Sequence, residues 1–358
     1  MGGASDTWER LRELPLTVES VAFDRQAATF AYGFERVTTL VRLAGGGAEG
    51  HGEDVSVHGP EDHSLHVVAP DLGLVGSWTL ESFCDHLASV DQWDAAPEWD
   101  AARRWRNWAF ESAALDLALS QAGEPLHAVV GRSPSPVRFV NSLGLGDPPT
   151  FDAIARRLEV HPQLRFKVDV THAWTPELMA EVAATGAVEI VDFKGHYGLD
   201  QGEPGALMAM YERAMELFPD ALLEDAHDLP EVAALLAGAG DRISYDAPIH
   251  TAADLDAVPL APRAVNIKPC RVGDLRSLLE VYEVVDERGM VVYGGGMGEV
   301  GVGRGQIQLL ASLFHPDGPN DTAPAGYNAS VPDASLPSSP LDPSPAPVGF
   351  RRAMSSGA

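Results

Sequence analysis

Cysteine is nearly absent from this chain: two residues in 358, Cys84 and Cys270, far apart. That excludes a disulfide framework and a thiolate metal site. Basic residues are scarce too, 25 Lys and Arg against 52 Asp and Glu, giving a net charge of −27. Nucleic acid and anionic membrane surfaces are polyanions, so neither is an expected partner. Acidity also keeps a protein soluble, and that plain use accounts for the charge. No apolar run approaches the roughly 18 residues of a membrane span, and the N-terminus lacks a charged-then-apolar signal pattern. Met1-Gly2 is followed by Asp6 where a myristoylation motif has Ser or Thr. The expected compartment is the cytoplasm.

What is present is an ordinary globular balance, 45% hydrophobic and 22% charged residues, enough for a substantial core. The length suits one (β/α) barrel of about 250 residues with a smaller partner. Between Phe166 and Lys268, short apolar runs keep ending in charge: Lys167-Val168-Asp169, Asp192-Phe193-Lys194, Glu224-Asp225, Tyr245-Asp246 and Asn266-Ile267-Lys268. Positions 169, 192, 224, 246 and 268 follow one another at intervals of 23, 32, 22 and 22 residues. A strand, a helix and two loops take up about that length, so the rhythm is that of an α/β, TIM-type barrel.

The segment to about Gly131 lacks this rhythm. Val18–Phe23 and Arg36–Leu43 read as strands, and Gly45-Gly46-Gly47 turns into Gly50–Asp54, read as a mobile, glycine-rich loop. Ala101–Gln121 has helical spacing and stops at Gly123. Together these predict an N-terminal α+β capping domain, residues 1–132. The barrel is expected over 133–331. Its strands are read at Val137–Asn141, Leu164–Val170, Val188–Asp192, Leu222–Glu224, Ile243–Asp246, Val265–Lys268 and Met290–Tyr293, with an eighth around Asp321–Tyr327. Thr175, Asp228 and Thr251 are expected helix caps. From Pro332, Pro, Ser and Ala dominate, and 332–358 is read as a tail with little fixed structure.

A carboxylate after a strand is often a helix cap or an arginine's partner, and for any one of Asp192, Glu224 or Asp246 that is the simpler reading. Three on successive strands of one barrel converge on one rim, where uncompensated like charges repel. Mg²⁺, one per subunit, would relieve them, because it takes hard oxygen ligands and keeps positions open for substrate. Lys167, Lys194 and Lys268 either neutralise the acids or transfer protons from two sides, with pKa values lowered by burial and a nearby cation.

These residues resemble the enolase superfamily, and within it the branch containing muconate-lactonising enzyme and o-succinylbenzoate synthase. The resemblance continues in Trp108–Ala118, Gly123–Gly131 and Gly295-Gly296-Met297-Gly298-Glu299, so it spans roughly Thr38 to Tyr327. It implies Asp192, Glu224 and Asp246 as metal ligands and Lys167 and Lys268 as acid/base lysines. Asp169, Asn266, Glu299 and Asn141 become candidates to touch the substrate or support the ligands. It also implies abstraction of the proton α to a carboxylate through an enediolate, with a small carboxylate as partner and Gly45–Asp54 as the lid. Reprotonation would make an epimerase, elimination a lyase and ring closure a cycloisomerase; a homo-oligomer is compatible with all three. The sixth-strand lysine argues against the mandelate racemase branch, which uses a His-Asp dyad there.

Two departures stand out. The superfamily branch carries Lys-x-Lys on the second strand, and this chain has Lys167-Val168-Asp169; the third strand often ends Asp-x-Asn, and here it is Asp192-Phe193-Lys194. Either Lys194 takes over a catalytic role, or Asp169 and Lys194 form a structural pair and Lys167 works alone. Alternation along the strand would put Lys194 on the face of Asp192, in ion-pair contact with Asp169. Two other functions stay open: a metal-independent Schiff-base lyase using Lys268, and a catalytically silent barrel that keeps the metal site.

Overall fold

The computed structural model of the chain describes residues 4–30, 34–56, 63–198 and 203–353. The N-terminal part runs α1 (Ala4–Leu11), β1 (Pro15–Val18), β2 (Ser20–Thr29), β3 (Glu35–Gly45), β4 (Ala48–Asp54), β5 (Gly76–Thr79), α2 (Leu80–Ser89), α3 (Ala101–Ala122) and α4 (Leu126–Val130). β2, β3 and β4 form an antiparallel meander, and β1 pairs with β5. The expected mobile lid over Gly45–Asp54 is therefore corrected. Gly46 and Gly47, at φ 58° and 77°, make a two-residue hairpin turn, and the following residues are a paired, largely buried strand.

Its glycines serve close approach rather than mobility. A Cβ on Gly50 would sit 2.1 Å from the Ala113 carbonyl oxygen, and one on Gly52 would sit 1.9 Å from that of Ala109. Side chains there would hold β4 away from α3. The helix is buried on nearly every side from Trp105 to Leu119, as expected of one enclosed between a sheet and a barrel. It stops where Gly123 takes a left-handed conformation, φ 72°, as the sequence predicts.

The second part alternates β6 (Asn141–Leu143), α5 (Asp152–Val160), β7 (Phe166–Asp169), α6 (Pro176–Ala184), β8 (Val188–Asp192), α7 (Pro204–Leu217), β9 (Leu222–Glu224), α8 (Pro230–Leu236), β10 (Ile243–Tyr245), β11 (Ala264–Ile267), α9 (Pro269–Val272), α10 (Leu275–Glu287), β12 (Val291–Gly294) and α11 (Val302–Phe314). β6 to β12 form one parallel sheet of seven strands in chain order, curled as a barrel wall. The eighth strand expected at Asp321–Tyr327 is not formed. Closure rests on two isolated bridges, Phe139 to Asn320 and Gly295 to Asp321. The Asn320 side chain does much of the joining: its oxygen accepts from the Gly294 amide at 2.7 Å and its amide donates to Arg138 O at 2.9 Å. Pro324 then removes a strand donor, and Ala325–Asn328 is a 3₁₀ turn.

Thr175 caps α6, accepting from the Leu178 amide, and Thr251 caps a 3₁₀ turn at Ala252–Asp256. Asp228 is not a cap. Leu229 occupies that position, and Asp228 lies 3.7 Å from His196. The tail is also corrected. Leu341 exchanges two backbone hydrogen bonds with Val137, and buried Phe350 meets Trp108 edge to face. Phe350 and Arg351 both donate to Asp116, so residues 341–351 strap the barrel to α3. Proline and serine leave a chain extended but do not prevent two buried side chains from anchoring it; 354–358 lie outside the described residues.

Between the two parts, the buried Glu53 carboxylate accepts from the amides of Val300, Gly301 and Gly303 at the start of α11. Arg36 donates to Met297 O and Gly298 O. Among the described residues no helix is long and apolar enough to cross a membrane.

Gly52→Ala is expected to destabilise the fold by about 3 kcal/mol, because backbone rather than a flexible side chain must move. Urea denaturation checks this, and an unchanged midpoint would contradict the close packing.

Glu111 supplies a pH-dependent counterpart. Burial, and next the charge of Asp274, push its carboxyl up to about 7, although the Leu275 amide and the Asn107 amide donate to it. The native state thus holds a proton that the unfolded chain releases from about 4.5, so this contribution is full below 4.5 and lost as pH rises to about 7. Stability measured relative to Glu111→Gln should fall across that window and be level above it; a difference that is flat with pH would exclude this.

Candidate active site

Strand geometry gathers the charged endings at one end of the barrel. Asp192 and Glu224 are the last residues of β8 and β9 and stand opposite one another, and Asp246 follows β10 directly. All three are completely buried. Lys167 comes from β7, at 1% exposure, and Lys268 from the end of β11, at 5%.

The contacts are specific. Lys167 Nζ lies 2.9 Å from Asp192 Oδ2 and touches Glu224 Oε1. Lys194 Nζ touches the same Asp192 oxygen and lies 3.2 Å from Asp169 Oδ1. Lys268 Nζ is 2.7 Å from Asp246 Oδ2, and Arg271 Nε is 3.2 Å from Asp246 Oδ1. Tyr293 donates its hydroxyl to Glu224 Oε2, and Asn266 donates to the same atom at 3.4 Å.

The Asp169–Lys194 contact matches the expectation, but strand alternation does not produce it. β8 ends at Asp192, and Lys194 sits in a left-handed turn, φ 53°. Its amide donates to Asp192 Oδ1 at 2.9 Å, which folds the side chain back over the strand end.

Asn141 and Glu299 face elsewhere. Asn141 accepts from Arg157 Nε at 2.8 Å, and Arg157 also holds the carbonyls of Tyr327 and Ala329, so this group fixes barrel closure. Glu299 accepts from the Met297 amide and faces Cys270 Sγ at 3.7 Å, on the side of the N-terminal part.

Three participants escaped the sequence reading. Arg271 was legible only as a base three residues after Lys268. Tyr197 had no signal: its hydroxyl accepts from Arg271 at 2.8 Å and donates to Asp246 Oδ2 at 3.3 Å. Asp225 reads as a duplicate of Glu224, but at φ 51° it turns to accept from the amides of Asp246 and Ala247. Among the described residues, the acids whose oxygens lie within 4.8 Å of one another are Asp192, Glu224 and Asp225. Asp246 is drawn aside by Lys268 and Arg271.

Electrostatics follow from this geometry. Burial opposes ionisation of Asp192, but Lys167 and Lys194 outweigh it and hold its carboxyl well below the usual range. Glu224 shares a single ammonium with Asp192, so burial and the neighbouring acids push it well up. Burial, then Asp246 and Asp192, push Asp225 up to about 6. The expectation of lysines with lowered pKa is corrected. Burial does pull Lys167, Lys194 and Lys268 down, but the carboxylates around each overcome it and all three are raised.

Residues 9–129 match the family model described as the N-terminal domain of a domain of unknown function, DUF8230, and residues 133–329 match its C-terminal domain. An o-succinylbenzoate synthase of Geobacillus stearothermophilus is 28% identical over 232 residues, 61% of this chain and 59% of that protein. The chain thus matches less than two thirds of that relative's length. An N-succinylamino acid racemase of Thermus thermophilus is 27% identical over 88% of this chain and 84% of its own length. A crystal structure from Listeria innocua, described as a member of the enolase superfamily, superposes with a TM-score of 0.65 at 18% identity, covering 87% of this chain and 86% of that one. The chain belongs to the DUF8230 family, and its fold is that of the enolase superfamily. Within that fold the carboxylates lie where strands deliver them to the barrel end.

Proposed function

We propose that this site removes the proton α to the carboxylate of a small organic acid, with Asp192, Glu224 and Asp246 holding one Mg²⁺ per subunit. The observation that carries the reading is three buried acids on successive strand ends with a lysine on either flank, Lys167 from β7 and Lys268 after β11. The donor set fits the ion: three hard carboxylates, with Asn266 Oδ1 buried yet accepting no hydrogen bond and Asp246 Oδ1 met by the Arg271 guanidinium without a hydrogen bond. Asp225 is the lesser candidate, because both its oxygens are occupied by backbone amides.

When bound, Mg²⁺ would stabilise the negative charge that develops on the substrate carboxylate. The chain's own work is proton transfer and orientation. Lys167 and Lys268 stand on opposite sides of the acids, so one can remove a proton and the other return or relay it. A lysine acts as base only as the free amine, and its carboxylate partners hold it protonated. A second cation on those carboxylates weakens that hold, which ties base activity to loading of the site. Lys194, whose side chain is one-fifth exposed, is the ammonium placed to meet the incoming carboxylate. In this reading residues 1–132 cap the barrel of 133–331, and 341–351 within the segment that follows supply the strap. The Schiff-base alternative needs a neutral Lys268 with nothing to relieve Asp246, and their ion pair opposes that.

Lys268→Ala should abolish α-proton exchange in D₂O while Mg²⁺ still binds, whereas Glu224→Gln should weaken Mg²⁺ at least about tenfold, or roughly 1.4 kcal/mol. Calorimetry and NMR read the two separately. Full exchange in the first variant or parental affinity in the second would reject the assignment.

Lys194 competes with any cation for Asp192. Lys194→Met is expected to tighten Mg²⁺ binding several-fold, about 1 kcal/mol, while lowering turnover. Weaker Mg²⁺ binding in the variant would show that the lysine supports the site rather than competing for it.

A further inference from the structure

The barrel mouth carries a cavity of about 470 Å³ that the chemistry above does not use. Its walls include Trp99, Leu145, Trp174 and Tyr197, and Asp169 and Lys194 close its inner end. The three aromatic residues come from separate segments: the loop before α3, the loop after β7 and the loop after β8. One amphipathic element cannot account for their convergence. Trp174 is 7% exposed, but Trp99 is 51% exposed and Tyr197 38%. Trp99 packs edge-on against Trp105, and Lys194 and Arg271 lie over Tyr197, yet the exposed parts of both rings border one cavity, where a ligand adds to the packing.

We propose that this cavity receives a planar aromatic ring carried by the substrate, a few bonds from its reacting carboxylate. The inference rests on the reading of the acid–lysine cluster given above and extends it to a substrate class, the arylalkyl carboxylates. Lys194 is the joint between the two regions. Its ammonium contacts Asp192 in the cluster and Asp169 in the cavity lining, so a carboxylate held at Lys194 and a ring in the cavity are neighbours. Asp169 and Lys194 neutralise each other, and the cavity therefore does not ask for a second charge. Aromatic walls also suit an organic cation, but the carboxylate that lines the cavity, Asp169, is already paired with Lys194. Stacking and edge contacts with tryptophan favour a ring over an aliphatic group of equal size.

The test is calorimetry on the full chain with Mg²⁺, using propionate, 3-cyclohexylpropionate, 3-phenylpropionate and glycine betaine. 3-Phenylpropionate is expected to bind at least about tenfold tighter than propionate, and tighter than its cyclohexyl counterpart. Trp99 and Thr171 are exposed, so Trp99→Leu and Thr171→Phe should fold, which thermal denaturation verifies. The first removes a wall and the second fills the cavity, and each should collapse the phenyl-to-propionate ratio towards one. Equal affinities, a phenyl preference that survives both variants, or tightest binding of betaine would overturn the proposal. Binding is read without turnover. A chain that prefers aryl carboxylates but exchanges no α proton keeps this inference and loses the proposed reaction; exchange without aryl preference does the opposite.

Discussion

Four carboxylates with no exposure, Asp192, Glu224, Asp225 and Asp246, meet at one end of the barrel, and nothing else in the structure is as costly to leave uncompensated. The neighbouring residues answer that charge individually. Asp192 has two ammoniums, Asp246 an ammonium and a guanidinium, Glu224 a shared ammonium and two neutral donors, and Asp225 a pair of backbone amides. The answers come from several strands and loops. The site therefore holds the barrel rim together as much as the barrel holds the site.

That arrangement leaves Asp192 strongly acidic and Glu224 and Asp225 reluctant to ionise, although all three lie within a few ångströms. The asymmetry arises from the distribution of cations, not from burial, which is complete for all of them. It also separates roles. Asp225 is a brace whose oxygens fix the backbone of the next strand end, while Asp246 is held by side-chain cations.

Away from the site, the N-terminal part is fixed to the barrel by groups of opposite character. Gly50 and Gly52 permit contact by having no side chain, and Glu53 enforces it by satisfying three amides at a helix start. The strap carrying Leu341 and Phe350 closes the same arrangement from the other end of the chain. Such an anchored frame allows Trp99, on the N-terminal side, to stand opposite Trp174 and Tyr197 on the barrel.

The sequence by itself determined the barrel, because apolar runs ending in charge at near-regular intervals have few other physical meanings. It also placed Asp192, Glu224, Asp246, Lys167 and Lys268 on one rim, since a strand delivers its last residues to one end whatever surrounds it. Helix ends at Gly123 and Thr175 were legible for the same reason: caps are local. What only the tertiary structure decided depends on neighbours distant in the chain. Glycine at positions 50 and 52 signals freedom in sequence and close packing in space, and the difference is the helix lying against it. Prolines and serines after 332 read as disorder until two buried side chains are placed. Lys194 reaches Asp169 through a left-handed turn that no period-two pattern contains, and Tyr197 joins the site because the loop folds inward. The pKa directions of the lysines reversed for the same cause, since the carboxylates that outweigh burial come from other strands.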